Sequence, residues 1–468
     1  RCAVAVRFAI DELMGSAGLR CEEEGREVLA LLAELPDLWD VNIAAWSNDS
    51  QTSRFAREGF QEDYVRCVKS LTSKPVVGVG RFTSPDSMVS QVRRGVLDFI
   101  GAARPSIADP FLPRKIEEGR AEDIRECIGC NICVTSDYTS TNLRCTQNPT
   151  TGEEWRRGWH PERIGRRGGD GPVLIVGGGP AGLEAALAAA RRGYEVHLSD
   201  AAAQLGGRVT RESGLPGLRE WARVRDWRVG QLGKLECAHL YRESRIEPAD
   251  ILEFGARHVA IATGARWRRD GLGRENGRPI AGFEHRAVVT PDDLMSGTMP
   301  RSPVIIFDDD HFYLGGVLAE LCAAAGLAVT LVTPAPIVSV WTVNTLESVA
   351  IARRLARLGI EVLTYTNVTR FDGERVTLAH ALTGATSERA ANGVVTVTAR
   401  LPVDGLYESL AGMAERLSDA GIASLSRIGD CYAPSTIQAA VYSGHKWARE
   451  LDAPALNVPR QLPCRASA

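Results

Sequence analysis

The sequence predicts an α/β protein in which parallel sheets follow one another along the chain. Two observations carry this reading: short apolar runs alternate with helical stretches over the first 120 residues, and two β-α-β units appear later, beyond a cysteine-rich interruption. At 468 residues the chain exceeds what one hydrophobic core serves. Its 44% hydrophobic and 24% charged residues exclude disorder and collagen-like repetition. The balance of 55 basic against 58 acidic side chains, net −3, gives no drive toward nucleic acid or an anionic membrane. No apolar run reaches the ~18–20 residues of a membrane helix; the best, 317–332, carries Glu320 and Gly326. The chain opens Arg-Cys-Ala-Val-Ala-Val-Arg-Phe, without Met or a leader pattern, and reads as entered partway. Eleven cysteines, four of them clustered, point to a reducing cytoplasm and a cysteine-bound metal.

Strands are expected at 2–8, 41–45, 76–79 and 99–101, with helices near 24–34, 62–71 and 85–94 between them. About four β/α units fit here, where a closed (β/α)8 barrel takes ~250 residues; the segment is half a barrel or an open sheet. From 125 to 171 periodicity gives way to Cys, Asn, Thr and Arg, ending in the linker-like Arg166-Arg167-Gly168-Gly169-Asp170-Gly171-Pro172. A β-α-β unit follows at 173–199 and another at 304–332. The block from Ile428-Gly429-Asp430 through a helix at 436–450 returns to the first. The expected domains are 1–124, 125–171, 172–295 with 396–468, and 296–395.

Cys127, Cys130 and Cys133 form a C-x2-C-x2-C run, and Cys145 follows on a returning stretch. Thiolates so spaced surround one compact iron–sulfur cluster, [4Fe–4S]. Four-cysteine zinc sites favour two separated pairs, so zinc is the weaker reading. Cys2, Cys21, Cys67, Cys237, Cys322, Cys431 and Cys464 read as buried or incidental thiols.

Gly177, Gly179 and Gly182 place G-x-G-x-x-G between a strand and a helix. Gly177 permits the tight turn, Gly179, with Pro180 and Ala181 after it, lets pyrophosphate approach a helix N-terminus, and Gly182 allows close packing. Asp200 ends the next strand, where a carboxylate accepts from an adenosine ribose. An ADP-containing ligand is implied, with Gly207, Arg208, Thr263, Gly264 and Asp430 as weaker contact candidates. At the second unit's turn stands Asp308-Asp309-Asp310-His311-Phe312-Tyr313 before Gly315-Gly316. Bulk blocks the backbone there, and like charges at roughly 4 Å cost about 1 kcal/mol per pair even in water. NAD(P)H is not the expected reductant; an unusual loop at Gly315-Gly316 is the alternative. His311 reads as structural.

Gly80-Arg81 and Ala103-Arg104 each sit where a strand ends, as in the phosphate sites of (β/α)8 enzymes, and imply a mononucleotide such as FMN. Arg7 ends the first strand, where a cation stabilises a reduced flavin ring. Trp46 and Asp49 follow the second strand; position alone leaves Trp46 either pocket wall or packed aromatic, and Asp49 either pocket or loop acid.

Cys-Ile-Gly-Cys-Asn-Ile-Cys, Arg-Cys-Thr-Gln-Asn, Gly-Glu-Glu-Trp-Arg-Arg-Gly-Trp-His-Pro-Glu, Ala-Arg-Pro-Ser-Ile-Ala-Asp-Pro-Phe-Leu-Pro and Ala-Thr-Gly-Ala-Arg-Trp together resemble the trimethylamine dehydrogenase family over nearly the whole chain. That family includes dimethylamine and histamine dehydrogenases, N-demethylating enzymes and, more distantly, 2,4-dienoyl-CoA reductase. It joins an old-yellow-enzyme FMN barrel to a [4Fe–4S] cluster and Rossmann-like nucleotide domains. The resemblance implies Cys127, Cys130, Cys133 and Cys145 as cluster ligands, Arg7 at the flavin ring, and Arg81 and Arg104 toward its phosphate. It makes Asp49 the acid that orients an active-site histidine, and Trp46 a wall of the bowl that holds a methylated amine, worth about 0.5–2 kcal/mol per ring by cation–π attraction. Compared with the family, the first half of the barrel is absent, with its flavin-linking cysteine and its catalytic Tyr and His. The 133–145 loop is slightly shorter and has Asp137-Tyr138 where a bowl Trp stands, and the acidic turn looks more like the N-methyl amino acid demethylases. ADP and FAD both stay open.

The expected function is that of the C-terminal two-thirds of an iron–sulfur flavoprotein oxidoreductase, an amine dehydrogenase or oxidative N-demethylase. In the complete, homo-oligomeric enzyme FMN takes a hydride equivalent from the carbon beside a secondary or tertiary amine nitrogen. The electrons then pass to the cluster and on to an external acceptor such as an electron-transferring flavoprotein. The rivals are an NAD(P)H-dependent ene reductase of the 2,4-dienoyl-CoA type and a non-catalytic electron-transfer subunit completing a partner's barrel.

Overall fold

The computed structural model describes residues 2–453; Cys464 and the expected domain's stretch beyond 453 lie outside them. The chain divides into two compact units, one running to Ser136 and including Leu143–Thr151, the other formed by Asp137–Asn142 and the chain from Gly152 onward.

In the first unit β1 (Ala5–Asp11), β2 (Leu38–Ile43), β3 (Val76–Gly78) and β4 (Phe99–Ile100) pair in parallel in sequential order. Alternation sorts their side chains. Val6, Phe8, Ile10, Trp39 and Val41 pack against Leu29, Val68, Met88 and Leu97 from the helical connections. The opposite face carries Arg7 and Asp40, which are register partners. Two expected helices are shorter than their periodicity suggests. The one near 24–34 is α-helical only over Arg26–Leu32, continuing a π-helical turn over Cys21–Gly25. The one near 62–71 splits into Glu62–Val65 and Val68–Ser70, where the Ser70 hydroxyl donates to the Cys67 carbonyl at 2.6 Å and competes with the helical ladder.

The second unit holds β5 (Val173–Val176), β6 (Val196–Ser199), β7 (Ala238–Tyr241), β8 (His258–Ile261), β9 (Ala265–Trp267), β10 (Val288–Val289), β11 (Val304–Asp308), β12 (Val329–Val332), β13 (Glu361–Leu363), β14 (Thr366–Phe371), β15 (Arg375–His380), β16 (Thr386–Ala390), β17 (Gly393–Val397), β18 (Arg400–Pro402) and β19 (Ser424–Arg427). Two five-stranded parallel sheets result, ordered β19-β8-β5-β6-β7 and β10-β17-β11-β12-β13. Strands β5 and β11 are buried throughout, which explains the apolar sequence of β5 and of β11 up to its terminal Asp308. The second sheet draws β10 from before the expected division at 295/296. An antiparallel meander, β14-β15-β16, and the antiparallel pair β9-β18 complete the unit. The helix Pro180–Arg191 is alanine-rich because it is buried on nearly every side, against β5 and against the helix Ile437–Glu450. Among the described residues no helix is long and apolar enough to cross a membrane.

Candidate functional site

The four clustered cysteines belong to the first unit, and surrounding side chains hold the loop that presents them. Asp109, fully buried, accepts from Arg125 N at 2.8 Å and pairs with Lys115 Nζ at 2.7 Å. Thr83 Oγ1 accepts from Cys127 N at 2.8 Å, and Ser53 donates to the carbonyls of Ile128 and Gly129. Gly129 is required: its φ is +64°, and a Cβ would meet Ser53 N at 2.8 Å. On the returning stretch Gln147 Nε2 donates to the Glu126 carbonyl and Asn148 Nδ2 to that of Ile107.

Burial, followed by the neighbouring sulfurs, pushes Cys130 up to about 12 and raises Cys133 well above the usual thiol range. Burial, then Cys127, pushes Cys145 up to about 11. Arg104 beside Cys133 and Arg125 beside Cys145 pull the other way. Four thiols drawn together in a buried place suit a metal group that takes them as thiolates and releases their protons. A C-x2-C-x2-C run with a fourth cysteine on a returning stretch suits a polynuclear cluster better than the two separated pairs of four-cysteine zinc sites do.

On the open face of the first unit's sheet, Arg7 Nη1 pairs with Asp40 Oδ2 at 2.9 Å and Nη2 lies 3.6 Å from Asp49 Oδ2. Gln61, buried and not anticipated from sequence, donates from Nε2 to Asp49 Oδ1 at 2.6 Å. Trp46 and Asp49 occupy one helical turn, with Trp46 44% exposed. Arg81 is buried at φ +57° and donates to the Ala56 carbonyl at 3.0 Å. Gly80 lies so near Gly59 that a Cβ would meet its Cα at 3.0 Å. Ala103 opens a short helix, and the next residue, Arg104, donates from Nη1 to the carbonyls of Ser50 and Gln51 and to Asn131 Oδ1 at 2.6 Å. Arg104 thus ties the cysteine loop to the chain after β2.

In the second unit Gly177, Gly179, Pro180, Ala181, Asp200, Gly207, Arg208, Thr263, Gly264 and Asp430 line one cavity of about 580 Å³. The fit to a dinucleotide-type ligand rests on the glycines. A Cβ at Gly182 would sit 1.9 Å from the Gly177 carbonyl, one at Gly177 2.4 Å from that of Ala262, while Gly179 faces open space. Asp200 Oδ2 accepts from Gly178 N at 2.6 Å and Oδ1 from Ala202 N at 2.7 Å; each oxygen keeps a second lone pair. Arg208 joins Glu212 at 2.9 Å and Asp430 at 3.0 Å. Arg400, which sequence reasoning missed, reaches the same Asp430 oxygen at 2.6 Å. It comes from β18, whose placement beside β9 no local pattern announces.

The corresponding turn of the second sheet is closed. Asp308 is fully buried, accepts from His311 N at 3.0 Å and is pushed up to about 7 by burial and by Asp310. Its carboxyl carbon lies 2.5 Å from where a Cβ would stand on Gly315, in the first turn of the helix Leu314–Ala324. A protein carboxyl thus takes the place a phosphate would use. Asp309 accepts from Asn276 N at 2.9 Å and meets His311 Nε2 at 3.1 Å. His311 is raised because Asp309 and Asp308 outweigh burial, which lowers it.

Residues 1–123 match the NADH:flavin oxidoreductase / NADH oxidase family and residues 171–444 the pyridine nucleotide-disulphide oxidoreductase family. The chain is 40% identical to dimethylamine dehydrogenase of Hyphomicrobium sp. (strain x), over 96% of its own length and 65% of that protein's. It superposes on histamine dehydrogenase from Rhizobium sp. 4-9 with a TM-score of 0.95 at 50% identity, covering 98% of this chain and 67% of that one. With 6-hydroxypseudooxynicotine amine oxidase from Pseudomonas geniculata N1 the TM-score is 0.93 at 49% identity, over 96% and 67%. The chain therefore spans about two thirds of the length of these relatives.

Proposed function

The chain belongs to the flavoprotein amine dehydrogenase family, in which a flavin-oxidoreductase barrel precedes a pyridine-nucleotide-type unit, and from that premise we propose that it serves the oxidation of a small amine, secondary or tertiary, to an iminium that water hydrolyses. When bound, FMN supplies hydride acceptance and the [4Fe–4S] cluster single-electron relay to an external carrier, for which an electron-transferring flavoprotein is suited. Cys127, Cys130, Cys133 and Cys145 hold the cluster; Arg81 and Arg104, with Gly80 and Ala103, serve the flavin phosphate; the cavity at Gly177–Gly182 takes ADP or FAD.

The chain's own residues give this reading its chemistry. Arg7 sets a cation on the open sheet face, held between Asp40 and Asp49. Asp49 is fixed from both sides by Gln61 and Arg7, so it orients a neighbouring group instead of swinging into solvent. Trp46 offers an aromatic face to an alkylammonium. The thiolate cage calls for a reducing compartment, and the cytoplasm is proposed.

The observation that carries the choice between dehydrogenase and reductase is the acid-filled turn at Asp308, which denies a nicotinamide nucleotide the anion site it needs. Anaerobic titration of the holoprotein tests it. Bleaching of the flavin by dimethylamine or an N-methyl amino acid, with no response to NADPH, is expected; bleaching by NADPH would establish the reductase instead.

A further inference from the structure

We propose that Glu195, His197 and His239 form a surface binding site for a divalent transition-metal cation, zinc in the first instance, at the outer edge of the first nucleotide sheet. The site follows from strand register. His197 on β6 and His239 on β7 are direct partners in the parallel ladder, and Glu195 precedes His197 by two residues, which returns it to the same face. One ligand atom from each residue lies within 4.8 Å of the others.

The distances match the ion. Glu195 Oε1 is 3.5 Å from His197 Nε2 and 3.7 Å from His239 Nε2. Tetrahedral zinc, with bonds near 2.0–2.1 Å, places its ligand atoms about 3.3 Å apart; both carboxylate–imidazole pairs come within a few tenths of an ångström of that, and the two imidazoles lie within 4.8 Å of each other. Two imidazoles and one carboxylate are a zinc donor set that leaves a fourth position for water.

A protonated-histidine ion pair explains the cluster less well. The two rings lie with centroids 4.9 Å apart, where two imidazolium charges would repel.

Ring orientation is set in advance. His197 Nδ1 shares a hydrogen bond with the Tyr241 hydroxyl at 3.2 Å, and Phe254 packs edge-on against the ring at 4.8 Å. With Nδ1 as the donor, the Nε2 lone pair faces Glu195; this is the outer-shell arrangement that fixes a metal-bound histidine. Glu195 and His239 are 59% and 41% exposed, so a cation reaches them from solvent. Because β7 is the edge strand, the bound ion would pin it to β6.

The test is calorimetric titration of the tag-free holoprotein with zinc chloride, with cluster absorbance monitored throughout. One equivalent is expected to bind in the native protein and to be lost in His239→Ala and in Glu195→Gln, both surface changes that spare the fold. Tyr241→Phe should bind about 10–100-fold more weakly, as loss of an outer-shell partner does. Zinc should raise the melting temperature of the native protein and not that of His239→Ala. Absence of zinc binding, or equal stoichiometry in native and His239→Ala protein, overturns the proposal.

Discussion

Asp308 shows how one buried side chain sets a pH dependence. Unfolded, it titrates near the ordinary 3.8; folded, it is pushed up to about 7. Between those values the folded chain holds one proton more than the unfolded chain, so stability falls as pH rises from about 4 to about 7 and stays reduced above, by roughly 1.4 kcal/mol per unit of displacement. Asp308→Asn keeps the acceptor for His311 N and carries no charge at any pH. It should raise the melting temperature relative to wild type at pH 8 and leave it nearly unchanged at pH 4; equal shifts at both would count against the account. Asp109 sits in a buried ion pair with Lys115. Asp109→Ala should cost about 3–5 kcal/mol, as removal of one partner from a buried pair does, and should slow cluster reconstitution because Arg125 N loses its anchor. Chemical denaturation and cluster absorbance read the two effects. The cysteines, the glycine turn and the acidic turn were legible in the sequence because each is a local spacing. Gln61, Asp109 and Arg400 were not, because their roles depend on partners that only the folded sheets bring near.

At the scale of elements, the close approach of two helices rests on Gly444. A methyl there would lie 2.1 Å from the Ala181 carbonyl and 3.0 Å from Ala185 N, so Gly444→Ala must push the helix Ile437–Glu450 off the helix Pro180–Arg191. Overpacking of this kind costs about 1–3 kcal/mol, and because Ala181 lines the nucleotide cavity, ADP affinity should fall as well. Gly230 supplies the contrast. It lies inside the helix Arg223–Leu232, and a Cβ there meets nothing within 4 Å. Gly230→Ala should stabilise by about 0.5–1 kcal/mol and leave ADP binding alone. Denaturant midpoints with nucleotide titrations decide both, and similar effects from the two substitutions would refute the packing argument. The same contrast explains what sequence reveals of elements. β5 and β11 announce themselves because parallel strands buried on both faces read as unbroken apolar runs. The meander β14-β15-β16 escapes notice because β16 is polar and mostly exposed, and β14 and β15 set only Val368, Phe371, Val376 and Leu378 into the core among polar neighbours.

At the scale of the molecule, the electron-carrying groups draw on separate parts of the chain. Every proposed cluster ligand lies in the first unit, and every residue lining the 580 Å³ cavity lies in the second. The proposed cluster would tie Cys127, Cys130 and Cys133 to Cys145 and hold buried thiols in a charged form they would not keep alone, since Cys130 and Cys145 are pushed up to about 12 and about 11. Binding energy of this kind becomes folding energy for the segment that supplies the ligands. Cys145→Ser should therefore purify without its full iron content and melt earlier in the transition that reports the barrel strands. The nucleotide cavity is built on glycine turns, Asp200, Arg208 and Asp430, all of which belong to the second unit. ADP affinity in Cys145→Ser should accordingly remain within about threefold of wild type, a difference of about 0.65 kcal/mol. Iron analysis, calorimetry and ADP titration on the same preparation give the answer. Loss of ADP binding together with iron would mean that the cavity depends on the cage, and that the two units fold as one.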